Sequence, residues 1–411
     1  MSRPIRWGWR ASMLLLPLLF ACVTHWLAQE RGPLWLGANS DPSYQYLFNS
    51  LLVVNGLPPC HVDHPGTTVQ MLGALVLTVR QPGMDFKKIT HAALAEPERA
   101  LAGMEIAFTL LAACALAIVG CVTVECTGSV VAGTAVQLAA LAQIGTYRAL
   151  LFVAPEALLV ALTLLLVTLV LARERAGSDQ QGRRQARWFG VCLGLVAGAG
   201  VVTKVTFAPL CLLPLLLARS WREGMWIGGV MVASAAGFLA PIVSQIPRMF
   251  AWFSGIATHT GTYGGGARGL IEPARYLGDL ARVVTNNPVL LGVLLVSGLV
   301  LGVFWRRRGG DGAGIARLIH VLRVAVVVQI LGLLLVAKHP HQNHYVLPVA
   351  LSCTLNVALL CEIARAFAAP WRRAIAAVAV AAGLMVVVGG VELKAYARDL
   401  RQSRDAELAL K

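Results

Sequence analysis

Apolar positions in this chain come in long runs separated by short polar stretches, not in the period-2 alternation of a membrane barrel. A helix needs about twenty apolar residues to cross a bilayer, and by that measure the pattern predicts about eleven spans. They are 11–28, 101–123, 127–146, 153–172, 188–203, 205–218, 225–245, 287–305, 318–337, 345–364 and 373–391. The stretch 188–218 is too long for one span and is divided at Lys204, because a charge at the bilayer centre is costly. The run 67–79 is too short to cross and predicts a segment at the interface or re-entering, and the apolar-rich segment 44–54 predicts a second surface helix. The expected fold class is an all-α integral membrane protein with short surface helices in its first long loop. Residues 1–391 form the spanning domain and 392–411 a polar C-terminal tail.

Composition supports this class. Of the 411 residues 57% are hydrophobic and 13% charged, against roughly 45–50% and about 25% in a soluble domain. A soluble globular protein, a disordered chain and a coiled coil are excluded. The net charge of +15 fits loop charge that sets membrane orientation better than a nucleic-acid surface. With Arg3, Arg6 and Arg10 placed in the cytoplasm, alternate loops bring Arg173, Arg175, Arg183, Arg184 and Arg187, then Arg219 and Arg222, then Arg306, Arg307, Arg308 and Arg317, then Arg365, Arg372 and Arg373 to the same side. The tail, with Lys394, Arg398, Arg401 and Arg404, then falls outside, against that rule. The N-terminus also has the basic start and apolar core of a signal peptide, but Phe20 fits the Leu19-Phe20-Ala21-Cys22 cleavage pattern poorly, so an uncleaved first span is expected. The nine cysteines sit mostly in apolar runs and show neither a disulfide nor a zinc spacing.

The outer side holds two long loops, 29–100 and 246–286, and it collects histidine: His61, His64, His91, His259, His339, His341 and His344, with His25 at the end of the first span. Histidine is a poor lipid-facing residue and a common site residue, so this one-sidedness points to an outward-facing site. Asp41 precedes Pro42 and either caps the following helix or carries chemistry. His61-Val62-Asp63-His64-Pro65-Gly66 groups two histidines and a carboxylate that could hold a metal or a phosphate, or form a turn. Pro155-Glu156 opens the fourth span, where capping is the alternative to a site role, and Arg148 stands just before it. Lys204 either snorkels to the interface or binds an anion. Lys338 to Pro348 is a dense polar cluster between two spans. The segment Tyr263 to Gly269 lacks the ending of a nucleotide-binding loop and reads as a mobile lid.

Together these features resemble the polytopic lipid-phosphosugar glycosyltransferases, the GT-C fold class that includes protein O-mannosyltransferases and lipid A aminoarabinose transferases. The resemblance rests on Asp41 after the first span, His64-Pro65 in the same loop, Glu156 opening the fourth span, Lys204 after a glycine-rich span, and Lys338 with His344-Tyr345-Val346-Leu347-Pro348. Pro42 stands where the family often has a second acid, and Gly66 where it usually has a second proline.

The resemblance implies a polyprenyl-phosphate-linked sugar as donor and a periplasmic or lipid-linked acceptor. It places the protein among membrane lipids, in a bacterial-type inner membrane with its site facing outward, and implies no nucleic-acid partner. Asp41, Asp63 and Glu156 would be the catalytic carboxylates, Asp41 as base. Lys204, Lys338, His344 and Arg148 would bind the donor phosphate. Tyr44, His64, Tyr263 and Tyr345 would contact substrate. No cofactor is expected, and the need for a divalent metal is left open. The alternative class is a transporter or flippase for a lipid-linked or small polar substrate, which usually carries charges near the midplane and internal repeats.

Overall fold

The computed structural model describes residues 3–36, 43–63, 65–175, 180–261, 264–306, 313–338, 343–367 and 371–409. Asp41, His64, Tyr263, His339 and His341 lie outside them. The first part of the chain forms α1 (Arg3–Arg31), α2 (Ser43–Val54), α3 (Thr67–Val79), α4 (Phe86–Ala95), α5 (Pro97–Thr127) and α6 (Val130–Leu141). Then come α7 (Ile144–Leu150), α8 (Pro155–Arg175), α9 (Gln180–Thr203), α10 (Ala208–Leu216), α11 (Trp221–Leu239) and α12 (Ile246–Thr258). The last are α13 (Pro273–Thr285), α14 (Pro288–Arg306), α15 (Ala313–Ala337), α16 (Leu347–Phe367) and α17 (Trp371–Ala409). The described residues contain no strand beyond one isolated bridge between His259 and Arg268.

The all-α class and the short helices α2 and α3 agree with the sequence pattern, and α4 adds a third that the pattern did not announce. The predicted spans fall on helical stretches, with 127–146 and 205–218 crossing breaks, and the described helices long and apolar enough to cross number seven: Gly8–Arg31, Pro97–Thr127, Pro155–Arg175, Trp221–Thr258, Pro288–Trp305, Gly314–Ala337 and His344–Ala366. An eighth is added if α6 and α7, bent by 63° at their break, count as one span. The stretches 188–203 and 205–218 are short apolar helices on either side of Lys204, and 373–391 lies within α17.

Lipid offers no hydrophobic drive for helices to associate, so close backbone approach and buried polar contacts hold such a bundle. On α9, Gly194 and Gly198 let α11 come close: a Cβ on Gly198 would stand 2.5 Å from the Met231 carbonyl, and one on Gly194 2.8 Å from Val230. The span starting at His344 is the most enclosed, with 89% of its apolar window buried, so it forms the centre. Leu15, Leu18, Leu299 and Leu335 are instead exposed on the bundle surface, as lipid-facing side chains should be.

Polar contacts gather at the two ends of the bundle. At one end Arg173, 1% exposed, meets Glu223 at 2.7 Å, Glu174 at 2.9 Å and the Leu217 carbonyl at 3.1 Å, while Arg317 pairs with Glu174 at 2.6 Å. These groups come from the end of α8, the end of α10, the start of α11 and the start of α15. Arg173, Arg219 and Arg317, from three of the loops read as lying on one side, thus meet at one end. At the opposite end Arg31 pairs with Glu105 at 2.7 Å. The tail belongs to this second end as well. The helix α17 runs unbroken through residue 392, and Arg401 pairs with Glu30 of α1 at 2.8 Å.

Candidate functional site

Four sequence-predicted residues meet at the second end of the bundle. Glu156 is the second residue of α8, behind Pro155, where an acid suits the positive end of the helix dipole. Lys204 sits where α9 stops. Its backbone is extended (φ −162°, ψ 140°), a 3₁₀ turn follows over Val205–Phe207, and Phe207 closes over Gly200. The break that the charge imposes on the long apolar run thus frees the lysine from the helix and sets it against a neighbouring one.

The Lys204 ammonium donates to Oε1 of Glu156, and both side chains are 6% exposed. Nε2 of His344 lies 3.3 Å from the same oxygen. The Lys204 Nζ also stands 4.7 Å from the centroid of the Tyr345 ring, a cation–π distance, and the rings of His344 and Tyr345 meet edge-on at 4.5 Å. A buried charge must be paired, and here one carboxylate is matched by a lysine and a histidine. An ammonium has three N–H donors, so the bond to Glu156 leaves Lys204 with capacity for an anionic ligand.

The first long loop, between α1 and α5, is fastened beside this pair. The Gly66 N–H donates to the Val202 carbonyl at 3.1 Å, and the Thr68 and Thr203 hydroxyls bond at 2.7 Å. Gly66 adopts φ +66°, disfavoured for other residues, with its Cβ position 3.5 Å from Tyr46 and 4.0 Å from Pro155. The end of the His-Pro-Gly motif therefore rests on the start of α8 and the end of α9. Asn49 accepts from the Cys60 and His61 N–H groups at 2.6 and 3.0 Å, and Gln45 meets His61 at 2.6 Å. Ser43, at the start of α2, accepts from the Val153 N–H at 3.0 Å, which ties the segment after Asp41 to the turn before Glu156. Asp63 is half-buried in this loop.

The other predicted residues have different partners. Lys338 donates to the Ala257 carbonyl at 2.6 Å, joining α15 to α12, and burial pushes its ammonium pKa down. Arg148 stacks 4.6 Å from the centroid of Tyr396 on α17. Tyr44 donates to Glu98, which also accepts from the Leu34 and Trp35 N–H groups at 3.0 and 3.1 Å. Burial and the Glu98 carboxylate push the Tyr44 phenol well above its ordinary value. The structure thus brings together Glu156, Lys204, His344 and Tyr345 and engages Lys338, Arg148 and Tyr44 in contacts between elements. The glycine segment is tied by its own bonds, Thr260 N–H to Ala267 at 3.0 Å and Gly261 N–H to Gly265 at 2.9 Å. Among the described residues no three His, Cys, Asp or Glu side chains gather to hold a metal.

Sequence reasoning passed over Glu98, Arg31 and Glu105. Glu105 had a signal: it is an acid inside a predicted span, and such residues usually have a buried partner. That partner is Arg31, which also donates to the Leu151 carbonyl.

No protein-family model matches the chain, and no curated protein matches it in sequence. Among solved structures, ArnT from Cupriavidus metallidurans bound to undecaprenyl phosphate matches with a TM-score of 0.55 at 13% identity, over 95% of this chain and 73% of that one. At that identity the likeness is one of fold, and it extends over nearly the whole chain.

Proposed function

We propose that this protein is a membrane glycosyltransferase that moves a sugar from a polyprenyl-phosphate donor to an acceptor on the outer side of a bacterial-type inner membrane. The observation that carries the reading is the Glu156–Lys204–His344 cluster, buried at one end of a helical bundle with an ArnT-like fold. A lipid-linked donor needs its tail in the bilayer and its phosphate at a span end beside a cation. We assign Lys204 and His344 to the phosphate. Lys338 and Arg148 hold neighbouring elements.

In the proposed step an acceptor hydroxyl or amine attacks the first sugar carbon from the face opposite the phosphate. The new bond forms as the bond from that carbon to the phosphate oxygen breaks, so configuration inverts. The acceptor proton passes to Asp41, and the electron pair of the broken bond leaves on the lipid phosphate, where Lys204 meets the added charge. Asp63 and Glu156 orient acceptor and lysine.

The test is binding of undecaprenyl phosphate to the purified protein in nanodiscs. The double variant Lys204→Met/Glu156→Gln should weaken it at least about tenfold, the loss expected of a charge-assisted contact. Unchanged binding would remove the cluster from the donor site.

A further inference from the structure

Helix α15 carries an arginine on a face that otherwise suits lipid. Arg323, Val327, Ile330, Leu331 and Leu334 are all exposed, and their spacing sets them along one side of the helix, with His320, half-buried, one turn before Arg323. The opposite side, with Val321 and Val328, is buried in the bundle. Arg323 has no hydrogen-bond or ion-pair partner among the described residues.

The arginine also sits deep. The helix starts at the end of the bundle where Arg317 pairs with Glu174 at 2.6 Å, and Arg323 lies about 9 Å further along the axis. Beyond it the uncharged run 324–337 covers about 21 Å, short of the roughly 30 Å of bilayer hydrocarbon. The Cα of Arg323 therefore stands below the headgroup level, where a bare guanidinium is costly. Side chains on a helix lean toward its N-terminus, so Arg323 reaches back past His320 toward the Arg317 end. A lipid phosphate meets it there with two oxygens for two N–H donors, a match that the planar fork of arginine makes well.

The neighbouring charges are sorted by sign. Glu174, 8% exposed, is held by both Arg173 and Arg317, and Glu223 by Arg173. These acids face inward and are occupied, while Arg323 faces outward with Arg317 partly so. Neither acid of this cluster is left to receive the ammonium of a zwitterionic headgroup. The outward face is positive and apolar in turn, which suits a headgroup of net negative charge above an acyl chain.

We propose that this face of α15 binds an anionic diacyl phospholipid of the leaflet at the Arg317 end. Its phosphate sits on Arg323 and His320, and one acyl chain runs along Val327, Ile330, Leu331 and Leu334. The site lies at the opposite end from the Glu156–Lys204–His344 cluster and does not rest on the glycosyltransferase reading.

The experiment is native mass spectrometry of the full chain in micelles, with dioleoyl phosphatidylglycerol, dioleoyl phosphatidylcholine or undecaprenyl phosphate added. The first phosphatidylglycerol should bind at least about tenfold more tightly than phosphatidylcholine. Arg323→Met and Arg323→Gln should bring the two within about twofold. Lys394→Met, which removes an exposed charge from α17 at the other end, should keep the preference. Melting temperatures measured alongside show that each variant is folded. Arg323→Met should melt no lower than the original in phosphatidylcholine, because it makes the lipid-facing stripe continuous. A phosphatidylglycerol preference that folded Arg323 variants retain, or no preference in the original, would overturn the site. Tighter binding of undecaprenyl phosphate than of phosphatidylglycerol, lost in the Arg323 variants, would give the face to a polyprenyl chain and overturn it as well.

Discussion

Replacing Lys204 by methionine keeps the length and apolar volume of the side chain and removes its charge. The change leaves Glu156, 6% exposed, with the His344 ring nitrogen at 3.3 Å as its remaining side-chain neighbour in the cluster. Stripping one partner from a buried ion pair costs about 3–5 kcal/mol, because the other charge stays buried and uncompensated. Replacing both partners by neutral groups of similar shape removes that penalty and is often neutral. Lys204→Met should therefore destabilise the protein by about 3–5 kcal/mol, and the double variant Lys204→Met/Glu156→Gln should return to within about 1 kcal/mol of the original. Reversible unfolding in mixed micelles, followed by circular dichroism for both single variants and the double, gives the coupling. The same proteins should show that stability returns in the double variant and sugar transfer does not. A loss below about 1 kcal/mol in Lys204→Met would mean that the ammonium is hydrated and that no buried pair exists. Recovery of transfer in the stable double variant would mean that the pair is a structural clasp.

Asp41→Asn should fold and melt like the original, since asparagine caps a helix about as well, yet lose roughly 10²–10⁴-fold in transfer rate if the carboxylate takes the acceptor proton. Near-normal turnover would pass the role of base to Asp63. Arg173→Met, at the opposite end, should cost about 3–5 kcal/mol by stranding Glu223, while Glu174 keeps Arg317, and leave the turnover of folded protein near normal; equal losses in both would link that end to the chemistry. The raised pKa of Tyr44 makes its contribution complete below about pH 10, the ordinary value, and lost as pH rises from there toward the folded value. Melting temperatures between pH 8 and pH 11 should fall more steeply in the original than in Tyr44→Phe, and parallel curves would show that Glu98 does not hold the phenol.

Much of the fold was legible because a bilayer makes apolar length a nearly sufficient signal. The break at Lys204 is an example: the charge that interrupts 188–218 also ends α9. The span count was less secure. The stretch 127–146 reads as one apolar run, and nothing in it announces the bend that leaves Gln143 between α6 and α7. The buried cluster was half legible. Glu156, Lys204 and His344 were singled out because each is a polar residue read at a span end on one side. Their convergence on a single carboxylate oxygen depends on packing among helices far apart in sequence, which periodicity does not encode. Lys338 and Arg148 were grouped with them on charge and side alone; Lys338 bonds to the Ala257 carbonyl and Arg148 stacks on Tyr396. The tail was read as merely polar, although its Arg401 and Arg404 needed acids, and Glu30 supplies one across 371 residues of sequence.

The central claim is sugar transfer from a lipid phosphate. It is tested most directly by purified protein in nanodiscs, given a panel of polyprenyl-phosphate hexoses and pentoses with a membrane lipid extract as acceptor. Released lipid phosphate and the anomeric configuration of the product are read together. The account predicts one lipid phosphate released for each sugar transferred, with inverted configuration, from at least one donor. Movement of an intact donor across a sealed bilayer, with no lipid phosphate released from any member of the panel, would contradict it and make the protein a carrier of lipid-linked sugar.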